Sequence, residues 1–285
     1  MAQTQTIEAV IFAGASATPI YVAQAKGFFA REGIEVKVTP TPNSGFQMSG
    51  LINGKFQVAS TALDNLIAYQ EGQGTAKTER PADLITIMGG ASTELALMAL
   101  PSIKSVAELR GKEFALDSLS TGYAFVLRKM LEKNGLMPSD YKFVAVGGTR
   151  ERLEALRAGT MAAGLISEPF TTQAKKEGLS FLGEAVSSVG RYQATVQIAN
   201  RWWAKENEKA MVGYIRAMIS AVDWIYEPAN RQETIKILAE AVKISEAAAT
   251  PSVIGLTEGQ GRLSPKAALD VEGVKTVLQL REQYG

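Results

Sequence analysis

Apolar and polar positions in this chain alternate with two periods, and the alternation runs through the same order twice. In the first copy the apolar-rich strand AVIFAGASATP leads into IYVAQAKGFFARE, whose apolar residues recur at helical spacing and stop at Gly33. The chain then switches to period two in IEVKV, turns at Ser44-Gly45, forms a second helix ending in LINGK and drops into the strand FQVAS. In the second copy EFALDS is followed by Ser120-Thr121, the helix GYAFVLRKMLEKN and a stop at Gly135. YKFVAV, the turn Gly147-Gly148-Thr149, a helix ending in LRAGT and the strand MAAGLIS complete it. Switches between periods of 3.6 and 2 predict alternating helices and strands. Both second helices end Leu-x-x-Gly directly before a strand, at 51–54 and 156–159.

Alternating strands and helices predict an α/β protein with largely parallel sheets and helical crossovers. Two copies predict two Rossmann-like lobes with a ligand cleft between them. The strand-like stretches 94–100 and 191–198 are expected to carry the chain between lobes. The expected division is 1–97 for the first part of lobe I, 98–190 for lobe II and 191–285 for the remainder of lobe I. Further helices are expected at 62–71, after Pro169 and from Asn200 onward, with Thr18, Asn200 and an Asn230–Glu233 capping box as helix starts. An amphipathic helix is expected over 270–283.

Composition narrows the chemistry. The 285 residues suffice for two cores, and a net charge of +1 with interspersed signs argues against a nucleic-acid partner. The chain contains neither cysteine nor histidine. That removes disulfides, thiol nucleophiles, Ser-His-Asp triads and His-based zinc sites. Neither a Walker lysine nor a helix-opening GxGxxG is present, which disfavours nucleotide binding, and no cofactor is expected. No apolar run approaches the roughly 20 residues of a membrane span. The start MAQTQTIEAV lacks a basic, apolar leader, and its short polar lead is read as what remains of a cleaved precursor.

In open parallel sheets, ligands bind beyond the strand carboxyl ends, where helices begin. Small polar residues collect there: Ser16 and Thr18, Ser44 and Gly45, Ser120 and Thr121, Gly148 and Thr149. Helix starts offer free N–H groups and a positive dipole end, which together attract anions. Hydroxyls at such positions are equally well explained as N-caps. Arg150 is the expected clamp for an anionic head group, with a solvated first-turn residue as the other reading. Asp64, Glu94, Asp117 and Glu168 stand at strand ends, each as ligand contact or as cap. Tyr21, Phe46, Tyr123, Phe170 and Tyr192 lie near the same loops. Ser16 or Thr18 is expected to face Ser120 or Thr121 across the cleft.

The run TPIYVAQAKGFFAREGIEVKV resembles the opening of periplasmic substrate-binding proteins of the sulfonate/nitrate/taurine and thiamine-precursor (SsuA/THI5-like, NMT1) family. SGFQMSGLINGKFQVAST, SIKSVAELRGKEFAL and LRAGTMAAGLISEPF extend the resemblance over nearly the whole chain. It implies the type II periplasmic-binding fold, a periplasmic monomer, a small-molecule ligand such as an organic anion, and a membrane permease of an ABC importer as partner. It implies ligand contacts from Ser16, Thr18, Pro19, Ser44, Gly45, Thr61, Asp64, Ser92, Thr93, Ser120, Thr121, Gly148 and Thr149. The yeast-type pyrimidine synthases of the superfamily need a histidine and a cysteine-rich motif, and this chain has neither. A non-enzymatic binding protein is therefore expected. The alternative is a cytoplasmic enzyme on the same fold, of the menaquinone-pathway or dihydroxyphthalate decarboxylase-like kind. An effector domain of a transcription regulator is a weaker third reading, because no DNA-binding helix pair precedes the first strand.

Overall fold

The structure, a computed structural model, describes residues 4–92, 95–259 and 261–285. The expected contact Thr93 and the acidic candidate Glu94 therefore lie outside the described residues. The chain opens with β1 (Gln5–Ile11), α1 (Thr18–Ala25), α2 (Phe28–Arg31), β2 (Ile34–Pro40), α3 (Ser44–Ile52), β3 (Val58–Ala62), α4 (Leu63–Gln70) and β4 (Leu84–Gly89). It continues with β5 (Ala96–Ala99), β6 (Glu113–Leu116), α5 (Gly122–Lys133), β7 (Lys142–Ala145), α6 (Thr149–Arg157), β8 (Ala163–Ile166), α7 (Phe170–Lys176) and β9 (Ser180–Glu184). After α8 (Val186–Val189) and β10 (Thr195–Asn200), the rest is helical: α9 (Arg201–Glu206), α10 (Glu208–Tyr226), α11 (Arg231–Val242), α12 (Glu246–Glu258) and α13 (Val271–Tyr284).

Two five-stranded sheets result, in the orders β2-β1-β3-β10-β4 and β7-β6-β8-β5-β9. Read left to right they are the same sheet. Each has three parallel strands, then one antiparallel strand, then an edge strand. The antiparallel strand is exchanged: β5 precedes the rest of its sheet in sequence, and β10 follows the other lobe. The two strand-like stretches expected to cross between lobes are thus these exchanged strands. The passages themselves lie between Gly89 and Ala96 and between Glu184 and Thr195. Gly54 and Gly159, which end the two Leu-x-x-Gly helices, both take positive φ, 88° and 67°. The left-handed region favours glycine at a helix end, so the repeated glycine has a repeated backbone cause.

Local starts differ from expectation in three places. A short 3-10 turn, Ala15–Ala17, precedes α1, and Thr18 Oγ donates to Ala15 C=O (2.6 Å) instead of capping. Asn200 turns its amide to Leu51 C=O (2.5 Å), and Asn230 donates to Trp224 C=O (3.0 Å) while Glu233 pairs with Lys26. The first helix is broken at Gly27, whose φ of 67° starts the short α2.

Apolar residues from both sheets join in one contiguous core that runs from Val10, Met48 and Leu51 to Leu97, Phe114 and Leu127, and takes in Val277 and Leu280 of α13. A second core, around Ile7, Phe29, Tyr214 and Met218, packs α1, α2 and α10 on the outer face of the first sheet. These cores place the carboxyl ends of β1, β3, β6 and β8 opposite one another.

Candidate functional site

A cavity of about 70 Å³ opens where those strand ends meet. The first sheet supplies Phe12, Ser16, Ser60, Thr61, Ala62, Asn65 and Thr195; the second supplies Asp117, Ser118, Thr121, Gly122, Tyr123, Thr149, Arg152 and Ser167. A smaller cavity of about 50 Å³ adjoins it, shares Ser16, Tyr123, Ser167 and Thr195, and is also lined by Ser92 and Glu168. The lobes are closed over this space. Ala15 N–H donates to Glu168 C=O (3.2 Å), Gly148 N–H to Pro42 C=O (2.9 Å), and Ser44 N–H to both carboxylate oxygens of Asp117 (3.0 and 3.2 Å).

Arg152 is the decisive side chain. It sits on the inner face of α6 with Thr149, Leu153 and Leu156, at helical positions i, i+3, i+4 and i+7. It is 2% exposed. Its Nη2 donates to Thr149 Oγ (2.7 Å) and its Nε to Gly148 C=O (3.3 Å), while buried Nη1 has no partner. Desolvation pushes its pKa down and the nearby Asp117 carboxylate opposes that shift. A buried N–H left unpaired costs stability, so a guanidinium held this way facing a cavity is suited to an oxygen acceptor. Ser118 Oγ lines the same cavity, buried and without a partner. Thr149 Oγ and Ser167 Oγ lie 3.1 Å apart, and Asn65 donates to Thr61 Oγ (2.9 Å). Desolvation raises the pKa of Tyr123, with Arg152 opposing.

The structure brings together only part of the expected set. Ser16, Thr61, Thr121 and Thr149 line the main cavity, and Ser92 and Glu168 line the adjoining one. Ser16 thus shares a cavity with Thr121, whereas Thr18 is buried against Ala15. Pro19 is buried in the first turn of α1. Ser44 gives its N–H to Asp117, so the positive end of α3, with Gly45 in its first turn, already faces a carboxylate of the other lobe. Gly148 spends its N–H on Pro42. Arg150, the expected clamp, donates to Val242 C=O (3.1 Å) and stacks 5.1 Å from the Phe170 ring centre. The arginine in the cavity is Arg152.

Asp64, Ser120 and Tyr192 belong to a buried junction beside the cavity. Asp64, 1% exposed, accepts two bonds from Arg281 of α13 (2.8 and 2.6 Å). Arg281 also bonds Gln73 and Ser120 C=O and lies 5.0 Å from the Phe125 ring centre. Tyr192 is fully buried there, its pKa pushed well up by desolvation and by Asp64. Its hydroxyl and that of Ser120 have no partner. Gly122 makes the junction possible: a Cβ at that position would meet the Tyr192 hydroxyl and lie 2.7 Å from Asp64 Cβ.

Among the described residues no cluster of acids suits a metal ion, and no helix is long and apolar enough to cross a membrane. Residues 15–231 match the family model described as NMT1/THI5 like. The chain belongs to the NMT1/THI5-like family. Within this family's reach lie proteins of differing activity. The bicarbonate-binding protein CmpA of Synechococcus elongatus is 22% identical over 245 residues, 78% of this chain and 54% of CmpA. A 4-amino-5-hydroxymethyl-2-methylpyrimidine phosphate synthase of Uromyces fabae is 26% identical over 229 residues, 73% of this chain and 62% of the synthase. This NMT1/THI5-like chain therefore spans little more than half the length of CmpA. The alkanesulfonate-binding protein SsuA of Xanthomonas axonopodis pv. citri, bound to MOPS, superposes with a TM-score of 0.75 over 100% of this chain and 96% of SsuA, at 16% identity. The fold is that of periplasmic binding proteins.

Proposed function

We propose that this chain is the solute-binding component of an ABC importer, a non-enzymatic monomer that works in the periplasm and hands its solute to a membrane permease. It closes two lobes on a small organic solute carrying an oxyanion, a carboxylate or sulfonate. The observation that carries this reading is the buried Arg152 guanidinium, which lines the interlobe cavity with its Nη1 N–H unpaired. CmpA and SsuA, named for bicarbonate and alkanesulfonate, support an oxyanion. Solute that contacts both lobes favours the closed form over the open one, so capture and closure are one equilibrium. The absence of any cysteine or histidine supports binding over the chemistry of the related synthase.

Titration with a panel of small carboxylates and sulfonates tests the reading. A binder found by thermal shift should lose about 1.5–3 kcal/mol of affinity in Arg152→Ala, the range for a charge-assisted hydrogen bond. Arg150→Ala, which removes a bond to Val242 instead, should leave affinity nearly unchanged. Equal affinity in parent and Arg152→Ala by calorimetry would place the oxyanion elsewhere.

A further inference from the structure

Arg152 is not the sole charge on the cavity wall. Asp117, at the carboxyl end of β6, lines the same space. Among the described residues the two form no ion pair within 4.0 Å, and Asp117 pairs with no other cation. Its carboxylate is held in place by one N–H, that of Ser44, shared between its two oxygens. A carboxylate has about four lone-pair sites, so most of its accepting capacity remains for a donor in the cavity. Opposite charges facing one cavity without touching leave room for a solute between them.

We infer that the solute is dipolar: beside the oxyanion that Arg152 receives, it carries a hydrogen-bond donor, best an ammonium group, that Asp117 receives. The inference rests on the oxyanion reading above. The walls carry one positive and one negative group, so a solute with one of each leaves the closed site neutral. A plain anion would leave a net negative charge in a partly enclosed space, where screening is weaker than in open water. Asp117 would then repel the solute that Arg152 attracts. The hydroxyls of Ser118 and Thr121, able to donate or accept, suit either end.

Three probe pairs differing only in an amino group test this: 3-aminopropanoate and propanoate, 4-aminobutanoate and butanoate, 2-aminoethanesulfonate and ethanesulfonate. In calorimetry with the full chain, the amino member of at least one pair should bind tighter by roughly tenfold or more, a gain of about 1.4 kcal/mol. Asp117→Asn keeps an acceptor for Ser44 N–H and removes the charge. It should shrink that ratio to roughly threefold or less. If the ratio survives Asp117→Asn, the carboxylate serves only to hold α3 and the inference falls. Plain members binding as tightly as amino members in the parent would overturn the dipolar solute and leave the oxyanion reading standing. No binding by any of the six would overturn both. Should Asp117→Asn fail to show a cooperative melt, the ratios in the parent decide alone.

Discussion

Burial governs Glu168, which sits at the adjoining cavity with its carboxyl bonded to Thr172 Oγ (3.0 Å) and Thr172 N–H (3.3 Å). Desolvation raises its pKa above the ordinary 4.5, and the Thr172 bonds and Lys175 only partly offset it. An acid whose pKa is higher folded than unfolded binds protons more readily in the folded state. Its contribution is fullest below about 4.5 and is lost as pH rises through the folded value. Glu168→Gln keeps one of the two acceptors and removes the charge, so thermal melts should show parent stability falling relative to the variant across that window. Parallel curves for the two would mean that the carboxyl stays well solvated. At this scale the sequence was readable by residue type and misleading by position. Gly148 and Thr149 point to a cation nearby, and Arg150 is the next residue. Two residues along a helix turn a side chain by about 200°, so Arg150 and Arg152 face opposite ways. The apolar pair Leu153 and Leu156 marks the inner face, and counting from it singles out Arg152. Ser44 and Asp117 carried no such signal, because their pairing exists only once two lobes close.

Among the elements, α13 ties several parts of the molecule together. Val277 and Leu280 enter the shared core, α13 packs on both α4 and α5, and Tyr284 bonds Glu132. Arg281 fastens it through Asp64 at 8% and 1% side-chain exposure. Breaking such a pair strands a charge in the interior, so Asp64→Ala and Arg281→Ala should each cost about 3–5 kcal/mol in urea unfolding. The double variant should cost clearly less than the sum of the two. Additive losses would show that the groups are not coupled. The amphipathic pattern of 270–283 announces this helix, but its partner does not follow from local pattern: Asp64 lies 217 residues away. The long helical opening was legible as apolar periodicity, yet Gly27 divides it, since a left-handed φ ends one helix and begins the next.

On the scale of the whole molecule, the repeated order of elements made two matching sheets legible, and the matching extends to the orders β2-β1-β3-β10-β4 and β7-β6-β8-β5-β9. The antiparallel exchange was not legible. The strands β5 and β10 are buried on both faces, β5 as an apolar run and β10 with Thr195, Gln197 and Asn200 among its apolar residues, and nothing local fixes their direction. That exchange makes the order of synthesis matter. Every strand of the second sheet lies between Ala96 and Glu184, but the first sheet waits for β10, made only after the other sheet is whole. The expected outcome is a reversal of the usual order on the ribosome, in which the N-terminal unit folds first, with one face of the second sheet covered only when α11 and α12 arrive. Nascent chains arrested with 190 residues exposed should resist brief proteolysis across 96–184 and be cut within 4–92. Protection of the earlier segment at that length would show that the first sheet closes without its missing strand. Asp64 meets its arginine only after 217 further residues have been made, so the newborn first half carries an unanswered charge through the synthesis of the second.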